Sequence, residues 1–383
     1  MYSSYSTPER RALSGPPVRS SVAVGAAAAL AFSGEPTLIL EILFVAFIAW
    51  RVLREPAVLQ TPFRIFLVCL AYIAAGYFSS LPSTSADLKD FATIYKFLYY
   101  LAALALVSSD HWIQPRSGAW GLRLFVWLFV MVYTYERFAI GELRPTVLVE
   151  NNYELIPLIL AAVALNGKGK PLSPWDWGAL LYVCAISGSR SSMAALAIGI
   201  TVLVRLQFSA RELLQWTVLA GAFGLLVYVL VLRLGDRSIE DIDRIIFLSA
   251  FVEETKDWGV AQWLFGAPAM TPLSLGTCRM LAYYENLMSY TGEWKCYSVI
   301  LHSFVLRVIY DHGLLGFALS LFAVNLLLKR DYNGRVRVTV LAIIVATGLS
   351  VSSLNNVYVA LGLMFMLALR PLQLAARVGS IRR

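Results

Sequence analysis

The chain has 383 residues, 58% of them hydrophobic and 15% charged, with a mean hydropathy of +0.67. Soluble domains carry about 25% charged residues, so this composition excludes a soluble globular protein and indicates a polytopic membrane protein. The net charge of +8 would suggest nucleic acid in a soluble chain, but here loop arginines and lysines on one side of a bilayer account for it, and no nucleic-acid partner is expected.

Arg10, Arg11 and Arg19 precede the first apolar run in the manner of a signal-peptide n-region. That run lacks a small-residue cleavage site and leads into further membrane segments, so it reads as retained. Apolar runs bounded by charge, glycine or proline predict spans at about 22–33, 38–52, 63–81, 91–107, 122–135, 153–165, 177–186, 191–206, 213–231, 313–328, 338–351 and 357–369. A long loop, 232–312, separates the ninth from the tenth and is expected to hold short helices. The predicted fold is therefore an all-α polytopic membrane protein, one integral membrane domain over 1–383 with about twelve transmembrane helices.

Twelve spans put both termini on one side. Arg51, Arg54, Arg116, Arg123, Lys168, Lys170, Arg205, Arg211, Lys329, Arg330, Arg335, Arg337 and the basic tail fall on that side, which the positive-inside rule makes the cytoplasm. Opposite loops interleave fewer cations with acids, as in Asp87–Lys89–Asp90 and Glu136–Arg137. Of the four cysteines, Cys69 and Cys184 lie in apolar runs and read as core residues. Cys278 and Cys296 share the long loop and could form a disulfide if it is periplasmic, which spacing alone does not prove.

Four constellations fall on the non-cytoplasmic side. In Ser187–Gly188–Ser189–Arg190–Ser191–Ser192, Gly188 permits a sharp turn, Ser189 can cap the next helix, and Arg190 enters its first turn. A cation is unfavourable there unless an anion joins it, and a guanidinium can grip phosphate with two parallel hydrogen bonds. The bland alternative is an interfacial arginine snorkelling to headgroups. In the second, Arg144–Pro145 leads to Glu150–Asn151–Asn152–Tyr153–Glu154, where amides and carboxylates suit sugar hydroxyls, although either asparagine could equally cap a helix. The third is the long loop, with Asp243–Arg244 opening an amphipathic stretch and aromatic residues at Trp258, Trp263, Tyr283, Tyr284 and Trp294.

The fourth is Leu301–Gly316, LHSFVLRVIYDHGLLG. Read as one helix, it puts His302, Ser303, Arg307, Tyr310 and Asp311 on one arc and Phe304, Val305, Val308 and Ile309 on the other. His312 falls on the apolar arc and reads as structural; His111 lies on the cytoplasmic side beside Asp110. The polar arc is either an interfacial helix wetted on one side or a reacting face. No P-loop, GxSxG or zinc spacing occurs, three histidines exclude a multi-histidine metal site, and no cofactor is indicated.

In order and spacing, three of these pieces resemble the O-antigen ligase/polymerase superfamily of bacterial membrane glycosyltransferases: SGSRSSMAALAIGI (Ser187–Ile200), DRIIFLSAFVEETKDWGVAQWLFGAP (Asp243–Pro268) and LHSFVLRVIYDHGLLGFAL (Leu301–Leu319). The likeness covers about 151–328. Two departures leave the subfamily open: Ser303 stands where asparagine often follows the family histidine, and Ala267–Pro268 follows Gly266 where a second glycine is usual. The resemblance implies a metal-independent, inverting glycosyltransferase of the bacterial inner membrane, working on its periplasmic face. Its donor would be a glycan on undecaprenyl pyrophosphate and its acceptor a second glycan. Arg190 and Arg244, with Arg144 a weaker candidate, would hold pyrophosphate, and His302 would assist the acceptor hydroxyl. Glu150, Asn151, Arg307 and Tyr310 would line the glycan path.

Three functions remain open at this level. The first is a polymerase of exopolysaccharide or O-antigen repeats, with a flippase and a chain-length regulator as candidate partners. The second is a ligase to lipid A–core, and the third a polysaccharide transporter. Few ionisable residues fall mid-span and no paired broken helices suggest a midplane site, which disfavours the transporter. The Glu150–Glu154 run leans toward the polymerase.

Overall fold

The computed structural model describes residues 36–54, 62–81, 87–107, 111–148, 151–201, 243–289, 291–292 and 294–370. The spans expected at 22–33 and 213–231 lie outside the described residues. The described chain is all-α, its one strand-like contact being an isolated bridge between Ile113 and Leu369.

The helices are Pro36–Arg54 (α1), Phe63–Ser80 (α2), Leu88–Ile94 (α3), Lys96–Val107 (α4), Pro115–Tyr135 (α5, closed by a π turn, Glu136–Ile140), Asn151–Glu154 (α6), Ile156–Gly167 (α7), Pro174–Ser187 (α8), Arg190–Ile200 (α9), Asp243–Thr255 (α10), Val260–Phe265 (α11), Leu275–Met280 (α12), Phe304–Lys329 (α13), Gly334–Gly348 (α14) and Val357–Ala368 (α15). Their ends follow local chemistry. Asp87, Ser173, Ser189, Ser274, Ser303, Asn333 and Asn356 each cap a helix through a side-chain oxygen. Pro174 adds a rigid first residue to α8, whose capping box pairs Ser173 with Asp176.

Among the described residues, α2, α5 with its π turn, and α13 are long and apolar enough to cross a membrane. A fourth span results if α3 and α4, bent by 61° at Tyr95, count as one. Helix α1 coincides with the span expected at 38–52, and α7, α8, α9, α14 and α15, 11 to 15 residues long, with five others. A bilayer needs about 20 residues of helix, which these do not reach. Outward faces are apolar, with Val68 and Phe78 on α2, Met131 on α5 and Leu319 on α13 all exposed. Such surface is costly in water and ordinary against lipid.

Two apolar cores result. The larger is centred on α7 and α15, which pack on each other. Every residue of α7 from Ile156 to Leu165 is buried except Pro157 at its first turn, so this helix is apolar all round, as a central helix must be. Close approach is possible because Gly362 carries no side chain: a Cβ there would lie 2.7 Å from Leu160 and 3.1 Å from Pro157. The smaller core gathers Phe247, Phe251, Leu273, Leu281, Ile300, Leu306 and Tyr310, so the loop segment 243–301 folds as a small helical unit on the head of α13. Cys278 and Cys296 form a disulfide within it, with Cα atoms 5.6 Å apart.

Candidate functional site

The Arg190 turn is built as its sequence requires. Gly188 takes the left-handed conformation (φ 71°) that ends α8, and the Ser189 side chain accepts the Ser192 amide to open α9. The turn is fastened to α6: Ser189 Oγ donates to Asn152 Oδ1 at 3.1 Å, Ser192 Oγ to the Asn151 carbonyl at 3.2 Å, and Asn151 Nδ2 to the Ser187 carbonyl at 2.6 Å. Arg190 is half-buried, and among the described residues its guanidinium has no ion pair or hydrogen bond. A cation at a helix N-terminus opposes the dipole, so this position favours an anion from outside the chain.

Asn151 is buried and committed to Ser187, which makes it a brace for the Arg190 turn. Glu154, also buried, accepts the Tyr133 hydroxyl and the amides of Val147 (2.9 Å) and Leu148 (2.8 Å), and so pins the preceding loop to α5. Between them, Tyr153 points the other way. Its hydroxyl lies 3.1 Å from His302 Nε2 and 3.4 Å from the Ser352 amide.

His302 is not part of the helix that sequence periodicity assigns to it. Ser298–Leu301 is a 3₁₀ turn, His302 is left-handed (φ 54°, ψ −8°), and Ser303 caps α13, its hydroxyl donating to the Gly348 carbonyl at 2.8 Å. A left-handed histidine is uncommon and costs of order 1 kcal/mol. The expected single arc is therefore split. His302 turns toward Tyr153 and toward Phe247 on α10, whose ring centroid is 6.3 Å away. Tyr310, one element later, is buried against Trp258 in the loop core, with its hydroxyl 3.5 Å from the Pro272 carbonyl. Tyr310 is thus a packing residue of the loop unit.

Arg307 is buried at 4% exposure. Its Nη2 donates to the Thr93 carbonyl at 3.1 Å and its Nη1 lies 3.5 Å from Ser352 Oγ, while its Nε has no partner. Ser352 thus touches both Arg307 and the Tyr153 hydroxyl, which places a buried cation beside the His302 cluster. Asp311, one turn on, accepts the Ser298 hydroxyl. Arg244 is half-buried on α10, one turn before Phe247. Arg144 stands apart on an exposed loop, its amide donating to Glu142 Oε1 at 3.3 Å. Glu150 lies outside the described residues. His312 sits in an aromatic box of Tyr72, Tyr95 and Phe97, with Nδ1 3.1 Å from the Tyr72 hydroxyl.

The Tyr153 hydroxyl thus links His302 to Ser352, which also lies by Arg307, while Asn151 and Asn152, just before Tyr153 in the chain, brace the Arg190 turn; Phe247, one turn after Arg244, packs near His302. Sequence reading passed over the Ser350–Asn356 turn that supplies Ser352. Its signal was available: five serines and asparagines in a row of seven, between apolar runs and on the same expected side as Arg190. Among the described residues no three His, Cys, Asp or Glu side chains gather as a metal-ligand set. The turn as built can hold an anion at Arg190, and the Tyr153 hydroxyl orients the His302 imidazole. The sequence matches no known family and no curated protein.

Proposed function

We propose that the chain is a glycosyltransferase of the bacterial inner membrane, related to O-antigen ligases and polymerases, that takes its donor glycan from undecaprenyl pyrophosphate. The observation that carries this reading is that two adjacent residues of α6 serve both pieces: Asn152 accepts from Ser189 in the Arg190 turn, and the Tyr153 hydroxyl meets His302. It sets an unpartnered guanidinium and an oriented imidazole in one neighbourhood, as transfer from a pyrophosphate to a hydroxyl requires.

In this reading the donor pyrophosphate rests on Arg190 and Arg244. The acceptor hydroxyl attacks the anomeric carbon from the face opposite the leaving oxygen. The new C–O bond forms as the bond to pyrophosphate breaks, so the anomeric configuration inverts. The hydroxyl proton passes to the His302 imidazole, and the arginines balance the charge that grows on the departing pyrophosphate. Imidazole is suited to accept a proton near neutral pH.

The topology that goes with it has twelve spans, both termini in the cytoplasm, and the 232–312 loop in the periplasm. Loop cations support this orientation, and so does a disulfide within the loop, since such bonds persist in oxidising compartments. The acceptor is assigned as a second lipid-linked repeat, making the product a polymer.

The test is synthesis by purified protein in detergent from a lipid-linked repeat unit. Wild type should extend the glycan with EDTA present, and His302→Ala should lose about 10²–10⁴-fold in rate. No product from any lipid-linked donor, or a His302→Ala variant as active as wild type, would overturn the reading.

A further inference from the structure

Helix α11, VAQWLF, packs Trp263 against the smaller core, beside Phe251 and Trp258, and leaves apolar residues on its other side outside both cores. Val260 is 77% exposed and Phe265 65% exposed, and no described residue covers them. Its place is fixed by two glycines. A Cβ on Gly313 would lie 2.2 Å from the Leu264 carbonyl oxygen, and a Cβ on Gly266 2.6 Å from the His312 amide nitrogen. The Ala267 amide donates to the Tyr310 carbonyl at 2.7 Å, which the break at Gly313 leaves without its helical partner. The end of α11 is therefore locked, backbone against backbone, to the kink in α13.

The depth of that kink follows from α13 itself. Lys329 ends the helix, and Gly313 lies sixteen residues before it. At about 1.5 Å per residue that is about 24 Å, whereas the hydrocarbon core is about 30 Å thick. With Lys329 at the inner edge of the hydrocarbon and α13 upright, Gly313 is then below the outer edge by about 6 Å, within the depth of about 5–10 Å at which interfacial helices lie. The residues after it, Leu314, Leu315, Leu319 and Phe322, are exposed and apolar, as a lipid-facing surface is. Helix α11 abuts α13 at the Gly313 kink, just before those residues, and its neighbours Lys256 and Asp257 are exposed and polar.

From this we infer that α11 dips into the outer leaflet, with Val260, Leu264 and Phe265 among the acyl chains of the bilayer. It anchors the loop unit to the membrane at the level of the α13 kink. This surface is a lipid-docking surface; it rests on the topology proposed above and not on the glycosyl-transfer chemistry.

Spin labels read it directly. The full chain, with Cys69→Ala and Cys184→Ala, is given one label at a time through Val260→Cys, Phe265→Cys, Leu319→Cys or Lys256→Cys. Each variant is reconstituted in phosphatidylcholine–phosphatidylglycerol vesicles. At Val260 and Phe265, oxygen should relax the label more than a water-soluble nickel chelate does, as at Leu319 and in contrast to Lys256. If one of the two α11 variants fails to fold, the other carries the measurement. Nickel access equal to that at Lys256 would place α11 in water and overturn the inference. Exclusion of both reagents would show that protein, from residues 202–242 or a second copy, covers the helix, and would overturn it equally.

Discussion

The Tyr153 hydroxyl meets His302 Nε2 at 3.1 Å across 149 positions of sequence. The same oxygen lies 3.4 Å from the Ser352 amide, so the phenol is itself held in place. The backbone of His302 is left-handed and lies between a 3₁₀ turn and the cap of α13, so its ring direction is set by side-chain partners such as this phenol. Tyr153→Phe keeps the ring, which packs against Tyr358, and removes only the hydroxyl. A hydrogen bond of this kind is worth about 0.5–1.5 kcal/mol, or roughly twofold to thirteenfold in rate. The variant should accumulate normally and lose turnover by about that factor while KM for the donor is unchanged. A KM effect without a kcat effect would show that Tyr153 contacts substrate and does not position His302.

Arg190 tests the anion. The bonds that build its turn run from Asn151 to the Ser187 carbonyl, from Ser189 to Asn152 and from the Ser192 amide to Ser189, and leave the guanidinium aside. Arg190→Lys keeps the charge and loses the two-pronged donor geometry. It should insert and accumulate as wild type does and make little polymer, with Arg190→Ala lower still. Polymer at near wild-type levels from either variant would return Arg190 to a headgroup anchor.

Much of this was legible in the sequence, for reasons that can be named. Gly188, Ser189 and Arg190 are adjacent, so turn, cap and cation could be read from local chemistry. Helices α2 and α5 announce themselves by uninterrupted apolar length. The His302 region misled because a helical projection assumes one continuous helix, and nothing in residue periodicity reports a left-handed histidine at position 302 or a reversal at Gly313. Asn151 and Glu154 read as polar groups facing a glycan because composition shows polarity without showing partners; in the fold Asn151 donates to Ser187 and Glu154 accepts two backbone amides. The Tyr153–His302 and His111–Asp331 pairs were invisible because they join positions 149 and 220 residues apart.

The Gly266–Gly313 contact predicts a large stability effect from a small substitution. Gly313→Ala would set a methyl group 2.2 Å from the Leu264 carbonyl oxygen at a backbone φ of 68°. Both the clash and the left-handed conformation oppose it, the latter alone costing about 1 kcal/mol. The variant should melt well below wild type by fluorescence-detected size exclusion. Gly178→Ala, in α8 with open space around it, is the control and should be neutral or slightly stabilising. Equal melting of Gly313→Ala and wild type would mean that α11 does not pack on the kink.

The Cys278–Cys296 bridge closes a loop of 18 residues. By the chain-entropy estimate such a crosslink is worth roughly 3 kcal/mol. Cys278→Ser should lower the melting temperature, and dithiothreitol should lower that of wild type while leaving the variant unchanged. Alkylation of both cysteines in unreduced, denatured protein would show that the bridge does not form.

The last prediction concerns the opposite end of the bundle, where Asp331 follows α13. His111 Nε2 lies 2.7 Å and Lys168 Nζ 3.2 Å from the same carboxylate oxygen, Oδ1, and the Lys168 ammonium stands 4.6 Å over the Tyr332 ring. The three residues tie the α4–α5 connection, the end of α7 and the α13–α14 turn together, and the Asp331 side chain is only 2% exposed. Burial alone would push the Asp331 carboxyl up, but the His111 hydrogen bond and the Lys168 charge outweigh it and hold the carboxyl below its ordinary range. Lys168 is pulled below its own ordinary range by burial, which Asp331 offsets only in part. Because the folded Asp331 binds its proton less readily than the unfolded one, its contribution to stability is present above the ordinary aspartate value of about 4. That contribution is lost as pH falls from there through the lower folded value. Asp331→Asn would leave the Lys168 charge buried without its partner, a loss of about 3–5 kcal/mol for pairs of this kind. The melting temperature of Asp331→Asn should therefore lie well below wild type at pH 7, and the gap should close as pH falls below about 4. Lys168→Met in the Asp331→Asn background should recover part of the loss, because no buried ammonium then remains. A gap that stays constant between pH 7 and pH 3 would show that Asp331 acts through packing and not through its charge.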